Sequence, residues 1–179
     1  MKRSRSCAAS FAVPALATAL TGWHGTVAAF EAKVTDPSFT ITVPALPDIA
    51  LQRQPAAAAS SPRLLGDDGT YKVSVALSAM PQAVSARECA GSGLRSILTR
   101  PGLPTRDNIY RAPLSAKTFL VLYVTSEGPQ PTLHAHLLSA VGDNTYCTEV
   151  HFSRPGRAGE DVDEWRKTFT GARIDEATR

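Results

Sequence analysis

The sequence lacks most of the signatures that announce a chemistry. It has no C-x-x-C pair, no H-E-x-x-H, no G-x-S-x-G elbow and no glycine-rich phosphate loop. Those absences remove the usual marks of dithiol redox enzymes, zinc proteases, serine hydrolases and nucleotide binders. No apolar run reaches the roughly 18 residues that a membrane-spanning helix needs. No internal repeat is present. One sign of charge is not in excess either, because the formal +3 comes from Lys2, Arg3 and Arg5. Residues 30–179 balance 16 acidic side chains with as many basic ones, which argues against nucleic acid as a partner, since phosphate binding needs clustered cations. At 43% hydrophobic and 20% charged, a chain of 179 residues is composed like one globular domain.

What is present begins with an export signal. Met1–Arg5 is basic, Cys7–Leu20 is rich in Ala, Leu, Val and Phe, and Thr21–Ala29 is a small-residue stretch. This is the three-part pattern of a secretory signal peptide over residues 1–29, with Val27 and Ala29 spaced for a cut before Phe30. A cut after Ala28 fits nearly as well. Cys7 precedes the apolar stretch, so no cysteine is offered for lipidation at the cut. The expectation is a single domain over 30–179, periplasmic or secreted. Cleavage leaves Cys89 and Cys147, and two cysteines in an oxidising compartment read as one structural disulfide.

Periodicity places the elements. Phe39, Ile41 and Val43 alternate with polar residues, as do Tyr71, Val73, Val75 and Leu77 after the Asp68-Gly69 turn. Residues 53–66 are expected to form a mobile Pro/Ala/Ser loop. Ser85 and Glu88 have capping-box spacing and predict a helix to about Leu98, with Gly91 and Gly93 tolerated if that helix packs closely on a sheet. Thr118–Thr125 is apolar on both faces and predicts a central strand. Leu133–Val141 and Thr145–Phe152 read as a hairpin, and Asp161–Thr170 as a last helix held by Trp165. The order β-β-α-β-β-β-α predicts an α+β fold, an antiparallel sheet of five to six strands with two helices packed on it.

The residues nearest to a chemical constellation are His134, His136, Glu149 and His151. Strand alternation points His134 and His136 one way, and Cys147, Glu149 and His151 one way. A two- or four-residue turn puts both sets on one face, whereas a three-residue turn separates them. If they converge, three imidazoles and a carboxylate are a candidate site for zinc or copper. The simpler reading leaves the histidines on the wetter face of the hairpin, with no cofactor. In the 101–116 loop, Arg106, Asp107, Asn108, Tyr110 and Arg111 mix cations with an aromatic and form a candidate partner-binding rim.

The F-T-I-T-V-P-x-L-P opening (Phe39–Pro47), the Asp-Gly hairpin into Tyr71–Leu77, the helix after Pro81, the late hairpin and the closing D-x-x-x-W-R-K-T-F-x-G-A (Asp161–Ala172) together resemble the PsbP/Mog1/DcrB-like families of small exported or organellar α+β proteins. The resemblance implies a non-catalytic binding or assembly-support role and supplies no site residues. The expected function is an exported binding module acting on a protein or cell-envelope partner. The alternative is a metal-binding protein or metal-dependent hydrolase using the His134/His136/His151 face.

Overall fold

The computed structural model describes residues 29–54, 64–99, 109–126, 130–157, 160 and 162–176. Two antiparallel sheets and two helices make up the described fold. The small sheet holds β1 (Phe30–Thr35), β2 (Ser38–Val43) and β10 (Arg173–Glu176), in the order β1-β2-β10. The large sheet runs β3-β4-β5-β9-β8-β7-β6. Its strands are β3 (Gln52–Arg53), β4 (Leu64–Asp67), β5 (Lys72–Ala79), β6 (Tyr110–Pro113), β7 (Thr118–Thr125), β8 (Thr132–Val141) and β9 (Tyr146–Pro155). Helix α1 spans Ala86–Leu98 and α2 spans Val162–Thr168. Among the described residues no helix is long and apolar enough to cross a membrane.

The antiparallel α+β character and the two helices agree with the pattern in the sequence, but five to six strands is too low a count. The sheets have 3 and 7 strands. The extra ones are β1, β3, β4 and β10; β1 alternates Phe30, Ala32 and Val34 with polar residues, a pattern passed over beside the export segment, whereas β3, β4 and β10 are short strands whose identity comes from pairing. Gln52–Arg53 pairs with Leu64–Leu65, so both ends of the stretch expected to be a mobile loop are sheet, while 55–63 lie outside the described residues.

Local chemistry sets the turns and caps. Asp68 accepts backbone N–H bonds from Thr70 and Tyr71 at 2.8 and 2.7 Å, and Gly69 takes φ +86°, which closes the β4–β5 hairpin. The capping box at Ser85 forms as spaced: its hydroxyl accepts from Glu88 N–H, and the Glu88 carboxylate accepts from Ser85 N–H at 2.7 Å. The β8–β9 turn is Gly142–Thr145, with Gly142, Asp143 and Asn144 all at positive φ.

The core lies between the two sheets. Phe30, Phe39, Ile41, Val43 and Ile174 of the small sheet face Val75, Leu122, Leu137, Val150 and Phe152 of the large one. Helix α2 closes the same layer: Trp165, 0% exposed, packs edge-on to Phe169 at 4.9 Å and stacks on Tyr71 at 6.1 Å. The Arg154 guanidinium sits 4.9 Å from the Trp165 ring and is paired with Glu160. Trp165 is thus a core residue, and burying an aromatic of this size stabilises a fold by about 2–3 kcal/mol. Helix α1 packs on the opposite face of the large sheet, where Ile97 meets Val121, Tyr123 and Leu138.

The disulfide forms. Cys89 on α1 and Cys147 on β9 are bonded, with their Cα atoms 5.3 Å apart. It fastens α1 to the histidine side of the sheet, next to Ala140 and Val84.

Candidate functional site

The four-residue turn decides where the histidines go. It pairs His136 with His151, Leu138 with Glu149 and Ala140 with Cys147, so the two sets share one face of the sheet. From β7, Tyr123 and Thr125 arrive on that face as well, because Tyr123 lies opposite His134 and Thr125 opposite Thr132. Six side chains from three adjacent strands therefore converge.

They form two hydrogen-bonded rows. In the first, Thr125 Oγ1 is 3.0 Å from His134 Nε2, and His134 Nδ1 is 3.0 Å from His151 Nε2. In the second, the Tyr123 hydroxyl is 3.0 Å from His136 Nε2, and His136 Nδ1 is 2.7 Å from Glu149 Oε1. The rows lie one over the other. Tyr123 covers His134 with centroids 4.8 Å apart, and His136 covers His151 at 4.2 Å, with planes within 17° of parallel.

The second row repeats the carboxylate–imidazole–hydroxyl order of a hydrolase triad, down to which imidazole nitrogen meets which partner. Its hydroxyl, however, belongs to Tyr123, which is 1% exposed, and the imidazole to His136, which is 0% exposed. A reacting group must come within hydrogen-bond reach of its substrate, and this row ends inside the protein. Its geometry suits a polar network that fixes one arrangement of the sheet face.

The metal expectation meets the same geometry. The His134, His136, His151 and Glu149 side chains do converge, but both ring nitrogens of His134 and of His136 engage neighbouring side chains. Among the described residues no group of three or more His, Cys, Asp or Glu side chains is arranged to hold a metal ion. The histidine face is covered toward the disulfide, with His136 fully buried and Tyr123, Leu138 and α1 on that side, and is wetter toward Ser153, where His134 and His151 are half-buried.

Of the expected partner-binding rim, Arg106, Asp107 and Asn108 lie outside the described residues. Tyr110 and Arg111 do not form a joint rim. Tyr110 pairs with Leu122 and packs half-buried against the main core, with the Arg166 guanidinium 5.3 Å from its ring, while Arg111 is exposed on the edge strand β6.

Sequence reasoning missed Tyr123 and Thr125. Both sit in a strand legible only as apolar on both faces, where hydroxyls look like incidental strand residues. The available signal was their spacing, two residues apart on one face of a strand bound to pair with the His-x-His strand.

Two hollows flank the network. One, of about 430 Å³, lies on the sheet face toward β3–β5 and reaches His151 and Ser153. The other, of about 220 Å³, lies under α1 and reaches Glu149, the disulfide, Ser92 and Ser96.

No protein-family model matches the sequence, and no curated protein does. Among solved structures, a crystal structure from Bacteroides thetaiotaomicron VPI-5482 is similar with a TM-score of 0.46 and 11% sequence identity, over 79% of this chain and 46% of that one. The chain thus spans about half the length of the chain it matches.

Proposed function

We propose that the protein is an exported, non-catalytic binding module that acts on a protein or cell-envelope partner in the periplasm or outside the cell. The observation that supports this most directly is the closure of the histidine network on itself. The side chains that would do chemistry hold one another, with His136 and Tyr123 buried, while a groove of about 430 Å³ lies beside them. The signal pattern of residues 1–29 and the Cys89–Cys147 disulfide are both in keeping with an oxidising compartment. The likeness in element order to the PsbP/Mog1/DcrB-like families implies the same kind of role.

A metal-binding reading keeps one specific support, the closeness of His134, His151 and Glu149. Zinc or copper there would have to replace the proton between His134 and His151 and draw Glu149 from His136. One experiment separates the two readings: native mass spectrometry of the protein recovered from its host's envelope or medium. The binding module predicts a metal-free, oxidised chain that starts at Ala29 or Phe30 and carries a partner. A stoichiometric zinc or copper adduct would replace that reading with the metal one.

A further inference from the structure

The Cys89–Cys147 bridge is set apart from the main core. Its buried neighbours are Val84 and Ala140, with Met80 packed beside them, and the layer between the two sheets includes none of these residues. Opening the bridge therefore leaves the principal packing of the fold in place.

Its two cysteines differ in access. Cys89, on α1, is 2% exposed, whereas Cys147, on β9, is half-buried. Both border the hollow of about 220 Å³ under α1, whose other walls include Ser78, Ser92 and Ser96, all exposed. The hollow thus opens to solvent between the end of β5 and α1 and leads to the bridge. Thiol–disulfide exchange needs a thiolate to reach one sulfur, and access helps select which one. Here access selects Cys147.

The other sulfur is suited to stay behind. Cys89 closes the first turn of α1, its N–H donating to the Ser85 carbonyl at 3.1 Å. The positive end of a helix favours a thiolate there, and apolar neighbours disfavour one. The two effects oppose, so a freed Cys89 sulfur takes up a proton and remains packed as a small apolar side chain.

Helix α1 is fastened at two places. The bridge and its small cluster hold the N-terminal half, and Ile97, fully buried against Val121, Tyr123 and Leu138, holds the C-terminal half. Gly91 and Gly93 lie between them, and each weakens a helix interior by about 1 kcal/mol relative to Ala.

We infer that the bridge is an exchange site for small thiols in the folded protein, attacked at Cys147, and that opening it releases Ala86–Ala90 from the sheet while Ile97 stays in place. An incoming thiolate bonds to the Cys147 sulfur, the Cys89–Cys147 bond breaks, and its electron pair goes to the Cys89 sulfur, which takes a proton. A second thiolate attacks the added sulfur, Cys147 leaves and is protonated, and the reagent departs as a disulfide. The protein gains the two electrons and two protons that two thiols lose. The inference stands apart from the binding-module reading.

The test begins with reduction of the oxidised mature chain by dithiothreitol, which supplies both thiols. Reduction in the folded state proceeds at a rate that urea hardly changes below the unfolding transition; a rate climbing with the full urea slope of global unfolding overturns the inference. Iodoacetamide labelling of the single variants in native buffer then compares the two thiols. Cys147, in Cys89→Ser, labels at least about tenfold faster than Cys89, in Cys147→Ser, because exposure governs thiol reactivity. Equal rates, or the reverse order, overturn the assignment to Cys147. Where a single variant does not hold the fold, the urea dependence of the parent still decides. Hydrogen exchange of the reduced chain reads the release: amides of Ala86–Ala90 exchange at least about tenfold faster than in the oxidised chain, and those of Ile97 and Leu98 are unchanged. Uniform acceleration along α1, or none, overturns the release.

Discussion

His134 and His151 meet head-on. The Nδ1 of one is 3.0 Å from the Nε2 of the other, the rings are 13° from parallel, and their centroids are 5.2 Å apart. That centroid separation is what two imidazoles have when joined edge to edge, so the contact lies in the plane of both rings and is an N–H···N hydrogen bond. One proton fits between the two nitrogens, which makes one histidine the donor and the other the acceptor. Nitrogen-labelled NMR should show a coupling carried through this bond, and its absence in the folded protein would show that the rings are not joined.

The two rows of the network differ in depth, and their variants should differ accordingly. His136→Ala takes the shared partner from the buried Tyr123 hydroxyl and from Glu149, and should cost roughly 2–4 kcal/mol. His134→Ala acts on half-buried groups that water can reach, and should cost about 1–2 kcal/mol. Urea unfolding of the two variants ranks them. Equal costs, or the reverse order, would mean that the Tyr123–His136–Glu149 row is not the deeper support.

Reduction should weaken the fold without altering its core. Cys89 and Cys147 are 58 residues apart in sequence, and cross-linking a loop of that size stabilises a fold by about 4 kcal/mol through the unfolded chain. The Cys89→Ser/Cys147→Ser variant should unfold at correspondingly lower denaturant while keeping the near-ultraviolet signal of Trp165. A variant as stable as the parent would assign the bridge no structural weight.

The two glycines of α1 should respond in opposite directions to alanine. At Gly93 a Cβ would sit 2.7 Å from Leu138 Cδ2, and Leu138 is itself buried. Gly93→Ala should therefore destabilise by about 1–2 kcal/mol in spite of better helix propensity. At Gly91 the nearest atom is the end of Arg95, 3.8 Å away, and Gly91→Ala should stabilise by up to about 1 kcal/mol. Thermal unfolding of both, compared by sign, is the check.

One ion pair should make itself felt at both ends of the pH scale. Its hydrogen bond with Lys117 at 2.8 Å holds the Glu176 carboxyl below its ordinary 4.5 and the Lys117 ammonium above its ordinary 10.5. The Glu176 contribution is present above 4.5 and is lost as pH falls through the lowered folded value. The Lys117 contribution is present below 10.5 and is lost as pH rises through the raised one. Stability measured against pH for the parent and for Glu176→Gln should differ most at neutral pH and converge in strong acid and strong alkali. Parallel curves would mean that the pair does not contribute.

Much of this was readable from residues alone, and what was not has a physical reason. The alternation in Phe39–Val43, the capping box at Ser85 and the face shared by Val162, Trp165 and Phe169 are local signals, and β2, α1 and α2 follow them. Close packing explains Gly93 but not Gly91, because only one face of α1 meets the sheet. In β10, the run Arg-Ile-Asp-Glu has a single apolar side chain and becomes a strand only by lying along β2. Parity could place His134, His136, Glu149 and His151 on one face once the turn length was known. It could not say what covers that face, because Tyr123 and α1 reach it from distant sequence.

The pairing of β2 has a consequence for the order in which the chain can be finished. Ile41 lies between Ala32, from the start of the domain, and Ile174, from its end. As the polypeptide emerges, the β1–β2 hairpin can form early, but one side of β2 stays open until Arg173–Glu176 arrives to close it. A chain stalled or clipped short of that point would present an unpaired strand edge, the kind that recruits other chains. The last strand works as a clasp, and whether it is shut decides whether that edge of β2 is on offer.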